Sequence, residues 1–166
     1  LGCWCWYAVS YISYSRRILR AAEPAPMDAQ AALSRLGGGA ELLLSPEAET
    51  PMLLGLLKPK IVLPAAVSGE RLEYILLHEL THLRRRDLYY KWLAAFVTSV
   101  HWFNPFMPLV RREIASACVL ACDEAVIRRM SARDRQGYGE TLIALSAAHR
   151  LPAGALSTTL SEGKRL

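Results

Sequence analysis

Residues 76–83 read LLHELTHL, and residues 115–126 read ASACVLACDEAV. In the first stretch His78 and His82 are four apart, which on an α-helix stacks them one turn above each other and lets both imidazoles address one ion. Glu79, beside the first histidine, is placed to take a proton from a water that the cation acidifies. This is the H-E-x-x-H logic of zinc metallopeptidases. It works only on a helix, and Leu72, Ile75, Leu76, Leu80 and Leu83 recur at helical spacing around it. The competing reading is a pair of interior histidines hydrogen-bonded in a core, with Glu79 on the surface. An apolar helix, an acidic helix downstream and a nearby strand are the parts a peptide hydrolase needs, and they favour the site. The Arg84–Asp87 run closes the helix, where positive side chains suit the dipole, and reads as a solvated or membrane-facing end.

Working outward, Trp92 to Val110 carries no formal charge and approaches the length of a transmembrane helix. Asn104-Pro105 interrupts it. If both motif stretches line one site, their helices lie on the same side of a membrane, so this run must turn back as a hairpin rather than cross. Arginines on both flanks, Arg84 to Arg86 and Arg111 with Arg112, agree with a shared cytoplasmic side. His101, Trp102 and Phe103 read as packed or interfacial residues, and His149 has no motif partner.

Leu1 to Ser15 is also uncharged and is followed by Arg16, Arg17 and Arg20, as where a spanning helix meets the cytoplasmic surface. As a helix it would rise only about 22 Å against a hydrocarbon layer of about 30 Å. Residues 1–20 are therefore expected to be the end of a longer transmembrane helix with its basic juxtamembrane segment. Residues 21–50 read as a linker with an entry helix around Asp28 to Leu36, stopped at Gly37 to Gly39. Residues 51–150 form the catalytic domain, and 151–166 a flexible tail. Within MLLGLLKPKIVLP, Lys58-Pro59-Lys60 argues for an edge strand or hairpin, so Lys60, Ile61, Val62 and Leu63 are candidates for pairing with an extended substrate. Ser68 is positioned to cap the helix that follows.

The chain's 166 residues fit one domain. Twenty Lys and Arg against 15 Asp and Glu, with 52% hydrophobic residues, point to a membrane neighbour at least as readily as to nucleic acid, for which no recognition fold is visible. Four cysteines form no dense disulfide framework, which fits a reducing cytoplasm. Cys118 and Cys122 share a helical face and could bind metal, but read first as small buried apolar residues.

LLHELTHLRRRDLYYKW, HWFNPFMPLVRREI and CVLACDEAVIRRM, preceded by GLLKPKIVLP and followed by YGETLIAL, resemble the metallopeptidase region of the BlaR/MecR family of β-lactam sensor-transducers. Several motifs in one order, from about Met52 to Leu145, make this more specific than HELTH alone. The resemblance implies a mostly helical α+β, gluzincin-like zinc domain, a fragment of an inner-membrane protein facing the cytoplasm. It implies His78 and His82 as zinc ligands, Glu79 as general base, and signalling proteolysis. Its partners would be membrane lipid and a protein substrate, such as a transcriptional repressor or the chain itself.

In similar proteins the second phrase reads CELACDE, with its first glutamate the third zinc ligand. Here that position is Val119, which has no lone pair to offer. The resemblance makes Asp123, one turn on, a carboxylate that orients a ligating histidine. Three outcomes stand open. Asp123 moves in as a substitute ligand, Glu113 or Glu124 substitutes from elsewhere on the helix, or zinc is held weakly by two histidines. The last, with extra water completing the site, would leave a poor enzyme or a catalytically silent interaction module. A housekeeping membrane protease of the HtpX or prenyl-processing type is a further alternative.

Overall fold

In the computed structural model, which describes residues 2–64, 70–148 and 158–159, helices dominate and one small sheet accompanies them. The order is α1 (Gly2–Arg20), β1 (Glu23–Pro24), α2 (Met27–Arg35), β2 (Glu41–Leu44), β3 (Met52–Leu54), β4 (Lys60–Leu63), α3 (Glu70–Arg85), α4 (Asp87–Val100), α5 (Met107–Ile127), α6 (Ala132–Ala148) and β5 (Thr158–Thr159). The α+β class is as expected.

The sheet runs β1-β2-β4-β3-β5. β3 and β4 form the expected hairpin, closed through Gly55 at φ 85°, where an added Cβ would collide with the Lys58 carbonyl. The edge-strand expectation is corrected. β4 is interior, antiparallel to β3 on one side and parallel to β2 on the other, with Glu41 opposite Lys60 and Leu44 opposite Leu63. Lys58 and Pro59 belong to the turn, and Lys60 opens the strand with its ammonium 2.6 Å from the Glu41 carboxylate. A proline that precedes a strand costs the ladder nothing. Lys60 to Leu63 therefore have no open side for a substrate.

Residues 21–50 contain the expected helix, as α2, but are packed into the fold rather than acting as a linker. They supply β1, α2 and β2, and Ala25, Ala29, Ala32, Leu33 and Leu42 pack with Leu53, Ile61 and Leu63 against Leu72, Ile75, Leu76 and Leu80 of α3. Leu76 and Leu80 are fully buried, each contributing about 1.5–3 kcal/mol. The glycine run ends α2: Gly37 takes φ 101°, and the Arg84 guanidinium from the end of α3 donates to the Leu36 carbonyl at 2.7 Å, in space a Cβ at Gly37 would contest. The apolar face of α3 is thus held on the sheet, leaving its other face for the histidines.

A second cluster joins Tyr11 and Ile18 of α1 to Leu43, Met52, Leu54, Val62 and Ala95. Trp92 of α4 meets Tyr11 and Trp4 edge-to-face, and Tyr11 Oη accepts from the Gly55 amide at 2.9 Å. The apolar run turns back as expected. α4 ends at Val100, residues 101–106 form the turn around Asn104-Pro105, and α5 returns against α4. No helix among the described residues is long and apolar enough to cross a membrane. Ser68, His149 and nearly all of 151–166 lie outside the described residues.

Candidate metal centre

His78, Glu79 and His82 occupy the middle of α3, and all three are wholly buried beneath α5 and α6. Four-residue spacing stacks the two rings, with centroids 4.6 Å apart and Nε2 atoms 3.0 Å apart. Other elements set which nitrogen of each ring is available.

His82 Nδ1 lies 2.7 Å from Asp87 Oδ2, which also accepts from Arg85 Nε at 3.3 Å. Asp87 reaches it because Arg86 adopts the left-handed conformation (φ 59°, ψ 33°), breaking α3 from α4 and turning the first residue of α4 back under the histidine. His78 Nδ1 lies 2.7 Å from Tyr138 Oη and 3.1 Å from Asp123 Oδ1, while Tyr138 donates its hydroxyl to that same oxygen at 2.7 Å. Ionised carboxylates only accept, so each Nδ1 carries the proton and each Nε2 keeps its lone pair. That leaves two acceptor nitrogens 3.0 Å apart. That donor arrangement fits a divalent cation such as zinc, which two imidazoles serve well.

A family model described as BlaR1 peptidase M56 matches residues 2–165. The chain belongs to this family. The methicillin resistance mecR1 protein of Staphylococcus aureus is 32% identical over 102 residues, covering 59% of this chain and 17% of that protein. The regulatory protein BlaR1 of Bacillus licheniformis is 26% identical over 118 residues, 69% of this chain and 20% of the relative. The chain thus spans about a fifth of the length of these curated relatives.

In this M56 chain the charges follow from burial and partners. Burial lowers the His82 pKa to about 4, although the Asp87 hydrogen bond pulls it up. Burial raises that of Asp123, but hydrogen bonds from His78 and Tyr138 outweigh it and hold the carboxyl below its ordinary value. Tyr138 is pushed up by burial and by its bond to Asp123, so it stays a donor. The Cys122 thiol is also raised, first by burial and then by the Glu79 carboxylate.

The M56 chain brings together more than its motifs announced. Val119 lies buried on the α5 face that also holds Cys122 and Val126, and the Asp123 carboxylate lies 3.1 Å from His78 Nδ1. Glu113 and Glu124 are exposed, and Glu124 pairs with Arg128 at 2.7 Å, so neither stands in for Val119. The expectation for Asp87 is corrected: only 1% exposed, it faces the site rather than solvent. An acid five residues beyond the second histidine was the available signal. Tyr138, within YGETLIAL, carries no local signal of its role, and Cys122 has the sequence character of a core residue. It is buried as expected, but His78, His82 and Cys122 form a three-donor group whose ligand atoms all lie within 4.8 Å.

Proposed function

We propose that this chain is the zinc-peptidase region, gluzincin-like in arrangement, of a membrane-bound signal transducer in an antibiotic response. The observation that carries the reading is the pair of Nε2 atoms 3.0 Å apart, each on a ring held from behind by a carboxylate, with Glu79 between the two histidines in sequence. His78 and His82 would hold zinc, which supplies Lewis-acid polarisation of a peptide carbonyl and acidifies water at the site. Glu79 takes the proton from the attacking water and passes it to the departing amine. Asp123 and Tyr138 keep the His78 ring in its metal-facing tautomer, and Asp87 does so for His82.

Membrane association is supported by α4, which buries Asp87, Lys91 and Ser99 while presenting Leu93, Phe96, Val97 and Val100 outward. Leu88, Ala94 and Ala95 are buried too, so it is the apolar outward face that departs from a water-facing helix. It favours lipid on the outer face, and the arginines flanking the apolar run, Arg84 to Arg86 and Arg111 with Arg112, favour the cytoplasmic side for the site. The substrate would be an extended protein segment, a transcriptional repressor or the chain itself. Self-cleavage gains support from β5, a piece of the chain paired antiparallel along the side of β3 away from β4.

Purified protein should carry close to one zinc ion per chain by elemental analysis. Glu79→Gln should keep the metal and lose peptide cleavage, and His78→Ala should lose both. Wild-type cleavage rates in Glu79→Gln would sink the reading. The second reading, a catalytically silent module that binds a repressor, rests on Val119 and predicts repressor capture without cleavage. Family membership favours either over a housekeeping protease of the HtpX or prenyl-processing type.

A further inference from the structure

We infer that Cys122 is the third metal ligand of this chain, so that the centre is a two-histidine, one-thiolate site in place of the two-histidine, one-carboxylate set that Val119 rules out. The inference rests on the metal-centre reading above and adds the identity of the missing donor.

Val119 leaves the inner face of α5 without its carboxylate. Asp123 cannot replace it without undoing the site, because its Oδ1 is engaged at the Nδ1 side of His78 by both the ring and Tyr138. Moving it to the Nε2 side would strip His78 of the partner that sets its tautomer. Cys122 has no such duty. Its sulfur, fully buried, makes weak contacts of 3.4 Å to the His78 carbonyl and 3.9 Å to His78 Nδ1. Among the described residues, it completes the one group of three such donors, with ligand atoms within 4.8 Å of one another. The sulfur rests on the Nδ1 side of His78, so binding requires Cys122 to turn towards the two Nε2 atoms, giving up a weak S–H···O contact for a metal–sulfur bond.

Charge and chemistry agree with the exchange. Valine for glutamate removes one negative charge from the donor set, and a thiolate restores it. Zinc and cobalt accept mixed nitrogen and sulfur donors readily. On binding, the Cys122 S–H bond breaks, sulfur keeps the electron pair and donates it to the ion, and one proton leaves to solvent for each ion bound. No oxidant or reductant takes part.

The test loads the purified full chain with metal alone. With Co(II), a near-ultraviolet sulfur-to-cobalt charge-transfer band should appear, persist in Cys118→Ser, and vanish in Cys122→Ser with at least a tenfold loss of cobalt affinity. X-ray absorption of the zinc-loaded wild type should show one sulfur at about 2.3 Å, a readout that needs no variant to fold. Stoichiometric metal with only nitrogen and oxygen neighbours would overturn the Cys122 assignment while leaving the two-histidine centre standing. Failure of the chain to bind either ion would overturn both.

Discussion

His82 is a base that the fold keeps uncharged. Its ring is buried and its pKa is lowered to about 4 from an ordinary 6.5, with burial the chief cause. The unfolded chain therefore binds a proton at this position over a pH range in which the folded chain does not. Stability from this group is whole above about pH 6.5 and drains away as pH falls towards 4, amounting to about 2 kcal/mol at about pH 5. Urea denaturation of the metal-free protein at pH 7 and pH 5 should show that loss, and His82→Gln should reduce it. An unchanged slope in the variant would mean another group titrates. At this scale the sequence was a good guide where residues act along one helix, since helical spacing brings the His78 and His82 rings together and sets Val119 one turn from Asp123. Asp87 offered only its five-residue offset from His82, which gains meaning once Arg86 breaks the helix, and Tyr138 was not legible because its role depends on how α6 returns to α3. Nothing in local periodicity announces a return of that kind.

Two junctions set the geometry of the site. Arg86 is the only described residue other than glycine with positive φ, and it stands where α3 must stop for Asp87 to turn under His82. The left-handed conformation costs an L-residue about 1–2 kcal/mol, and more when the side chain is β-branched. Arg86→Gly should therefore leave unfolding stability within about 1 kcal/mol of wild type or raise it, whereas Arg86→Val should lower it by about 1–2 kcal/mol and weaken zinc binding together with it. Denaturation curves paired with zinc titration check this, and equal stability for the two variants would show that the junction is not strained. The helix-to-helix turn at Asn104-Pro105 was readable because proline has a backbone effect that no context removes. The sheet was not. ELLL at residues 41–44 is too short for periodicity to separate strand from helix, so the parallel partner of β4 went unseen, and β4 looked like an edge.

Taken as a whole, the molecule turns a wide apolar surface outward. Trp102, Phe103 and Phe106 at the α4–α5 turn are about 70% exposed, and Leu93, Phe96, Val97, Val100 and Leu109 continue the surface along both helices. Trp6, Val9 and Ile12 of α1, the helix packed on α4, are also exposed. Water penalises such a surface at about 25 cal/mol per Å², while a bilayer does not. Arg111 and Arg112 follow the turn, with Arg111 stacked 4.4 Å over the Tyr7 ring, and cationic groups there suit an anionic headgroup layer. The membrane association proposed above therefore predicts that the chain floats with vesicles containing anionic lipid. Serine at Trp102, Phe103 and Phe106 together should lower that partition by at least tenfold, because even one partly inserted aromatic contributes about 1.5 kcal/mol. Replacing Arg112 with glutamine should cost less and only at low salt, since the charge contribution is screened and the apolar one is not. Flotation of the triple variant equal to wild type would move the lipid contact away from the turn, and the outward face of α4 and α5 would then need a protein partner instead.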